Sequence, residues 1–206
     1  SYCPTPTDLA VDNNTITHTT ADLSWTGYSN SYTVQYRTAA HNGTVYFEEA
    51  FDNNNGALPE GWDNSEHSNE SYYWKVTAGS GYGSYYTTAA SGSYNIAYYT
   101  KGASNNATIT TPRINLAGVA NAKLTFKYLN PDWAGGYDEL TVKYRVGDGE
   151  WTDLASFHNT TGSWIEKSVT LTGMADNYQI AFYGTGYDGD YGYGIGIDDV
   201  VVTQII

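Results

Sequence analysis

Two adjacent acids, Asp198 and Asp199, stand inside the last hydrophobic run of the chain, GIGIDDVVVT at residues 194–203. Such a run predicts a buried β-strand, where an ionised carboxylate costs several kcal/mol unless it is paired or metal-bound. No Lys or Arg follows Lys167, so the sequence offers no local counter-ion. We therefore expect a cation at this strand, and a hard divalent ion such as calcium prefers carboxylate and carbonyl oxygens.

A second acidic strand lies far upstream at residues 47–52, FEEAFD, and is the candidate partner of the closing pair. We expect these first and last strands of one sandwich to be neighbours that clamp the ion. Because adjacent side chains of a strand point to opposite faces, Asp198 and Asp199 can share an ion only where the strand is bulged or twisted. The alternative is that the acids lie at exposed strand ends and bind nothing.

Aromatic residues on glycine-rich loops form the second set of candidate functional residues. A ring with a polar tip on such a loop can lie beneath a sugar ring or anchor a protein partner, and it loses little side-chain entropy in doing so. The opposing interpretation is that the rings pack inward, which we expect for about half of them because tyrosine is intermediate in burial. The candidate ligand-binding residues are Trp133, Tyr82, Tyr85, Tyr187, Tyr191 and Tyr193, and Tyr86 lies in the same loop as Tyr85.

The sequence gives little support for enzyme chemistry. The four histidines lack HExxH spacing, no Gly-x-Ser-x-Gly elbow occurs, and Cys3 has no basic neighbour to activate its thiol. Acids alone do not define a glycosidase, because two of them must face each other across a cleft. Residues 188–190, Asp-Gly-Asp, resemble part of a calcium loop but lack the downstream bidentate Glu, so we interpret them as a turn. We predict a protein that is not an enzyme.

Composition narrows the fold and the partners. The 206 residues include 22 acids and 9 bases, and the formal charge of −13 repels phosphate backbones, which disfavours nucleic acid as a partner. No apolar window is long enough to predict membrane insertion. The 21 Tyr, 6 Trp and 22 Gly favour strands and turns, and the single Cys3 cannot form an internal disulfide. We expect an all-β protein that is a monomer.

Period-2 alternation supports an antiparallel two-sheet sandwich. It is clear in the Leu124–Phe126–Tyr128 stripe, in alternate residues of 140–146 and in alternate residues of 178–182, as half-buried strands require. An Asp-Gly turn within residues 147–150 predicts a hairpin. The predicted strands of the larger domain are residues 45–51, 72–77, 94–99, 107–111, 123–129, 139–146, 151–157, 164–171, 178–183 and 194–203.

The first 42 residues carry three short strand patterns, at 9–11, 21–25 and 32–37. Their motifs, Pro-x-x-Leu, Ala-x-Leu-Ser-Trp and Ser-Tyr-Thr-Val-Gln-Tyr-Arg, resemble the first half of a fibronectin type III domain. The resemblance implies that Trp25 and Tyr36 are core aromatics. Since three strands need a surface to pack on, we expect residues 1–42 to lie against the larger domain, residues 43–206.

The larger domain carries five motifs in order: FEEAFD, LPEGW, YW, DELTV and GIDDV. It resembles the MAM-like, cleaved-adhesin type of jelly roll found in bacterial surface adhesins and beside secreted peptidases, and it is similar in plan to calcium-bearing carbohydrate-binding jelly rolls. The resemblance implies a structural calcium ion held between first-strand and last-strand acids, and no catalytic residue. The matching positions are Glu49, Asp52, Asp198 and Asp199.

We therefore expect a non-catalytic adhesion or carbohydrate-binding module of a secreted or cell-surface bacterial protein. Its partner would be a glycan or a host or surface protein. The alternative is a structural or accessory module of a larger secreted peptidase or glycoside hydrolase, with no ligand of its own.

Overall fold

The structure, a computed structural model, describes residues 7–11, 23–27, 43–83, 86–102, 104–158, 161–186 and 192–205. The chain divides into two compact units, Ser1–Ala40 and His41–Ile206. None of the described residues forms a helix long and apolar enough to cross a membrane.

In the first unit, β1 (Thr7–Val11) pairs antiparallel with β2 (Leu23–Thr26). Trp25 exposes 38% of its surface, so the prediction that it is a core aromatic is wrong. The predicted third strand, with Tyr36, lies outside the described residues. The packing of this unit against the larger one stays a prediction.

The second unit is a sandwich of two antiparallel sheets. One sheet has the strand order β10-β9-β12-β7-β4, and the other has the order β11-β8-β13-β6-β5 with β3 paired to β13 beside this path. This arrangement confirms the predicted all-β jelly-roll sandwich. The strands are β3 (Val45–Glu49), β4 (Asp63–His67), β5 (Lys75–Thr77), β6 (Asn95–Tyr98), β7 (Asn106–Thr110), β8 (Ala122–Leu129), β9 (Asp138–Val146), β10 (Thr152–Phe157), β11 (Ile165–Thr170), β12 (Tyr178–Gly186) and β13 (Ile195–Gln204).

The core is built from the alternating stripes of these strands. Leu124, Phe126 and Tyr128 of β8 are at most 1% exposed. Phe126 meets Phe182 of β12 edge to face, with ring centroids 5.3 Å apart, and so joins the two sheets. The inward stripe of β9 ends earlier than predicted, because its last residue, Val146, is 40% exposed.

The predicted hairpin between β9 and β10 is present. The strands are antiparallel, Tyr144 is opposite Thr152, and the Gly149 N–H donates to the Val146 carbonyl at 3.1 Å. Gly147 has a φ of +57°, in the left-handed region that a tight hairpin turn requires.

Strand β13 changes its partner halfway along one side. Its first residues pair with β6, with Ile197 opposite Ile96, and its later residues pair with β3, with Val200 opposite Glu49. On its other side β13 pairs with β8 throughout, but the register shifts between Asp198 and Val201. This shift is a β-bulge, and it lies at the point where the partner changes.

Candidate functional site

The structure places the four predicted metal-site acids around this bulge, and we call Glu49, Asp52, Asp198 and Asp199 the acidic junction. Asp199 has a φ of +46°, so the bulge turns the backbone between the two adjacent acids. Sequence reasoning required such a distortion for the pair to face one ligand, and the bulge supplies it.

Backbone N–H groups of the loop before β6 hold the junction together. Oδ2 of Asp198 accepts hydrogen bonds from the N–H groups of Ala90 and Ser91, at 2.9 and 3.1 Å. The Ser91 hydroxyl lies 2.6 Å from Oδ1 of Asp199. Oδ1 of Asp52 accepts the N–H groups of residues 93 and 94, at 2.7 and 3.0 Å. One loop therefore binds acids from the opposite ends of the domain.

Glu49 lies at the end of β3, where its Oε1 accepts the Phe51 N–H at 2.7 Å. Phe51 has a φ of +61° and is fully buried. The glutamate therefore stabilises a left-handed backbone turn that carries the chain from β3 towards Asp52.

Asp198 is an electrostatically costly group. It is fully buried, and this burial raises the pKa of its carboxyl to about 7, with the neighbouring Asp199 charge adding in the same direction. Among the described residues, no three His, Cys, Asp or Glu side chains are grouped closely enough to hold a metal ion by themselves. The acids share a loop, but side chains alone do not complete a metal site.

Five aromatic residues meet at one end of the sandwich, and we call Tyr82, Tyr86, Tyr99, Trp133 and Tyr193 the aromatic face. The Trp133 and Tyr193 rings are 4.9 Å apart, and Tyr82 meets Trp133, Tyr193 and Tyr99 at 5.5, 5.4 and 4.8 Å. Tyr86 meets Tyr193 at 5.6 Å. Trp133 and Tyr86 are 36% and 38% exposed, so the cluster presents ring surface to solvent.

A tight turn presents Trp133. Its N–H donates to the Gly136 carbonyl at 2.9 Å, and the Gly136 N–H donates back at 2.7 Å. Ala134 and Gly135 between them both have positive φ, at +49° and +95°, as a type I′ turn requires. Oδ1 of Asp132 accepts the Gly135 N–H at 2.7 Å and fixes the turn further.

Side chains and close backbone contacts hold the other loops of the face. The Ser80 hydroxyl donates to the Tyr193 carbonyl at 2.6 Å, and its N–H donates to the Tyr86 carbonyl at 2.9 Å. Gly194 has a φ of +88°, and a Cβ there would lie 2.2 Å from the Ser80 carbonyl oxygen. The loops that carry Tyr86 and Tyr193 are therefore fixed to each other.

A buried carboxyl group lies beneath the aromatic face. Asp138 begins β9 and is 2% exposed, and the Asn130 side-chain amide donates to its carbonyl at 2.6 Å. Burial raises the pKa of the Asp138 carboxyl to about 7, opposed by a hydrogen bond from the Gly194 N–H. Within the described part of the chain, its Oδ2 has no hydrogen-bond partner. Asp138 and Asn130 together anchor both ends of the loop that carries Trp133.

The structure brings three of the six predicted ligand-binding residues together. Trp133, Tyr82 and Tyr193 belong to one face, whereas Tyr85, Tyr187 and Tyr191 lie outside the described residues. Sequence reasoning missed Tyr99. The sequence of β6 carries little signal for it, because all four residues of the strand are buried and only the pleat places Tyr99 on the side opposite to Tyr98.

Comparison with known proteins gives a family match. A model of the MAM domain, meprin/A5/mu, matches residues 50–205, which is more than half of the chain. The sequence matches no curated protein.

Three solved structures share the fold. The K1 cleaved adhesin domain of Lys-gingipain from Porphyromonas gingivalis W83 is 19% identical with a TM-score of 0.54, covering 80% of this chain and 100% of that one. TmCBM61, solved with β-1,4-galactotriose, is 12% identical with a TM-score of 0.52, covering 76% and 99%. The CBM22-1–CBM22-2 tandem domain of Paenibacillus barcinonensis Xyn10C is 14% identical with a TM-score of 0.50, covering 82% and 47%.

The similarities to these three structures cover the sandwich and show that the fold is shared. The family match spans the whole aromatic face and, from the acidic junction, Asp52, Asp198 and Asp199; it begins one residue after Glu49. On that match, the chain belongs to the MAM domain family.

Proposed function

We propose that the larger unit is a non-catalytic glycan-binding module of a secreted or cell-surface bacterial protein, with the aromatic face as its ligand site. The observation that carries this proposal is the meeting of five aromatic rings at one end of the sandwich, on loops held by backbone hydrogen bonds. Flat rings stack on the apolar faces of sugars, and tyrosine hydroxyls bind sugar hydroxyls. A site that is already ordered loses little entropy on binding.

The position of Asp138 supports binding without catalysis. It is the carboxyl group beneath the aromatic face whose pKa is raised to about 7, in the range of a general acid. A general acid must reach the reacting atom within hydrogen-bond distance, but Asp138 is 2% exposed and Gly192 packs against its carboxylate. The group therefore serves the structure beneath the face.

The test is the affinity of the full chain for a panel of soluble oligosaccharides, measured by isothermal titration calorimetry. We expect Trp133→Ala and Tyr86→Ala each to weaken binding about tenfold, since each removes exposed stacking surface. Trp151→Ala is the matched control, because the pairing of Thr152 with Tyr144 sets Trp151 level with Arg145, about 23 Å from Asp138 at about 3.3 Å per residue.

Two results would contradict the proposal. Equal loss of affinity in Trp133→Ala and Trp151→Ala would place the ligand elsewhere. Wild-type protein that binds no oligosaccharide would favour the alternative, an accessory module without a ligand of its own.

We also propose that calcium binds at the acidic junction. The donor chemistry fits this ion, because Asp52, Asp198 and Asp199 contact the same loop and, among the described residues, hydrogen bonds engage only one oxygen of Asp52 and of Asp199. Since no three acids are grouped at metal-binding distance in the described chain, backbone carbonyls and water would supply most of the ligands. The ion would offset the negative charge of the buried Asp198 and its half-buried neighbour Asp199, and would tie β3 to β13. The effect of chelation on the melting temperature of dialysed protein tests this proposal.

A further inference from the structure

A cavity of about 180 Å³ adjoins the aromatic face on the outer surface of the edge strand β5 and its neighbour β6. Tyr73, Lys75 and Thr77 line one side of it, and Ala97 and Tyr99 line the other. Tyr99 is also a member of the aromatic face, where its ring lies 4.8 Å from that of Tyr82. The cavity and the face are therefore continuous through one shared ring.

Small residues create this hollow. Lys75 is opposite Ala97 in the β5–β6 ladder, and Ala97 points outward because its neighbours Ile96 and Tyr98 are core residues. Gly81 crosses above it so closely that a Cβ on this glycine would lie 3.1 Å from the Ala97 Cβ. Larger side chains at these two positions would fill the cavity.

Lys75 gives the cavity its charge. Its ammonium lies 4.4 Å from the centroid of the Tyr73 ring, and no described carboxylate forms an ion pair with it. The contact with Tyr73 positions the ammonium without neutralising it. A positive charge beside one aromatic ring, in a cavity that a second ring also lines, suits a ligand that carries an anionic group on a ring. The hydroxyls of Ser71 and Thr77, also in the lining, suit sugar hydroxyls.

The formal charge of the protein limits how strongly charged this ligand can be. With a formal charge of −13, the protein repels polyanions that carry several charges per sugar residue. A single carboxylate close to Lys75 is attracted by the ammonium more strongly than it is repelled by the distant acids, whose charges are screened by salt. This comparison favours a sugar with one anionic group per residue, such as a uronic acid, over a multiply sulfated or phosphorylated one.

We propose that the cavity is a subsite for the carboxylate of a uronic acid residue in a glycan bound at the aromatic face. This inference rests on the proposed glycan-binding function. The Lys75 ammonium pairs with the carboxylate, and the Tyr73 and Tyr99 rings flank the pyranose.

The experiment compares trimers of galacturonate, glucuronate and mannuronate with their methyl esters, which keep the shape of each sugar and remove its charge. We expect wild-type protein to bind at least one acid about fivefold more tightly than its ester, the scale of a partly exposed ion pair. Lys75→Met should abolish this preference, because it should weaken binding of the acid far more than binding of the ester. Lys123→Met is the matched control, since it removes one positive charge from the outward face of β8 in the same sheet.

Each remaining outcome decides against the subsite. Equal affinity of wild type for every acid and its ester, an equal effect of the two lysine variants, or no binding of any acid would overturn it. If wild-type protein nevertheless binds neutral oligosaccharides and this binding depends on Trp133, only the uronic acid subsite is refuted and the proposed glycan-binding function is supported. If wild-type protein binds no sugar at all, both the subsite and the proposed function are refuted.

Discussion

Replacing Asp138 by Asn tests whether ionisation of the buried carboxyl beneath the aromatic face makes the free energy of unfolding depend on pH. Burial raises the pKa of Asp138 to about 7 in the folded protein, whereas an Asp in an unfolded chain has a pKa of about 3.9. The folded state therefore binds this proton more tightly. The stability that Asp138 contributes through this proton is fully present below the pKa of the unfolded chain. It is lost as the pH rises through the pKa of the folded protein.

The size of the effect follows from the separation of the two pKa values. Each pKa unit corresponds to about 1.36 kcal/mol, so the roughly three units between them amount to about 4 kcal/mol. Asn is neutral at every pH and has the same shape as protonated Asp. The free energy of unfolding of Asp138→Asn should match that of wild type near pH 4 and exceed it by about 4 kcal/mol above pH 8.

Urea denaturation followed by tryptophan fluorescence, at a series of pH values and fixed ionic strength, measures this difference. Asp148→Asn is the control, because its carboxylate is 94% exposed and its loss changes the net charge by the same single unit. Parallel pH profiles for wild type and Asp138→Asn would refute the reasoning, since they would mean that burial does not shift this group.

Two further predictions concern β13 and the glycine that precedes it. Calcium at a hundredfold excess over its Kd should stabilise the dialysed protein by about 2.7 kcal/mol, and a chelator should reverse the gain. Asp199→Ala should abolish this response, with Asp198→Ala as the paired test. A melting temperature that changes with neither calcium nor chelator would contradict the proposed calcium site. Gly194→Ala should destabilise the protein by at least about 2 kcal/mol, because the added Cβ meets the Ser80 carbonyl at a φ of +88°. Gly147→Ala is the control that separates a steric clash from backbone strain, since Gly147 has a φ of +57° but a Cβ there would have no atom within 4 Å. Equal losses of stability in the two variants would show that the clash at Gly194 is relieved.

Alternation predicted β8, whose inward residues are buried and whose outward residues are partly exposed, whereas β6 and β7 are buried almost throughout and were predicted as runs of β-forming residues bounded by turns. Alternation missed β4, DNSEH, whose polar residues show no apolar period and which is a strand because it pairs with β7 at a sheet edge. Long-range pairing of this kind leaves no local mark in the sequence. The separate roles of Tyr98, which is fully buried, and Tyr99, which is half-buried, depend on the pleat of a single strand.

The candidate site was predictable in its residue types and less so in its contacts. The two aspartates of β13 indicated a strand that must bulge, and it does. The donors to Asp198 come from Ala90, 108 residues earlier in the chain, and no spacing rule links the two segments. Likewise, Trp133, Tyr82 and Tyr193 meet because the ends of strands far apart in sequence lie side by side in the sandwich.

The central position of β13 has a consequence for how the domain folds. It is the last strand in chain order, yet it lies in the middle of its sheet, between β8 on one side and β3 and β6 on the other. During synthesis, the β8–β11 and β5–β6 pairs emerge first with unpaired inner edges, which are sites for mispairing with other chains. The sheet closes only when β13 inserts and pairs with β3, a strand about 150 residues earlier, so we expect slow folding limited by this long loop closure. A chain that is shortened by its final strand should accumulate as an open, aggregation-prone intermediate rather than as a smaller native domain.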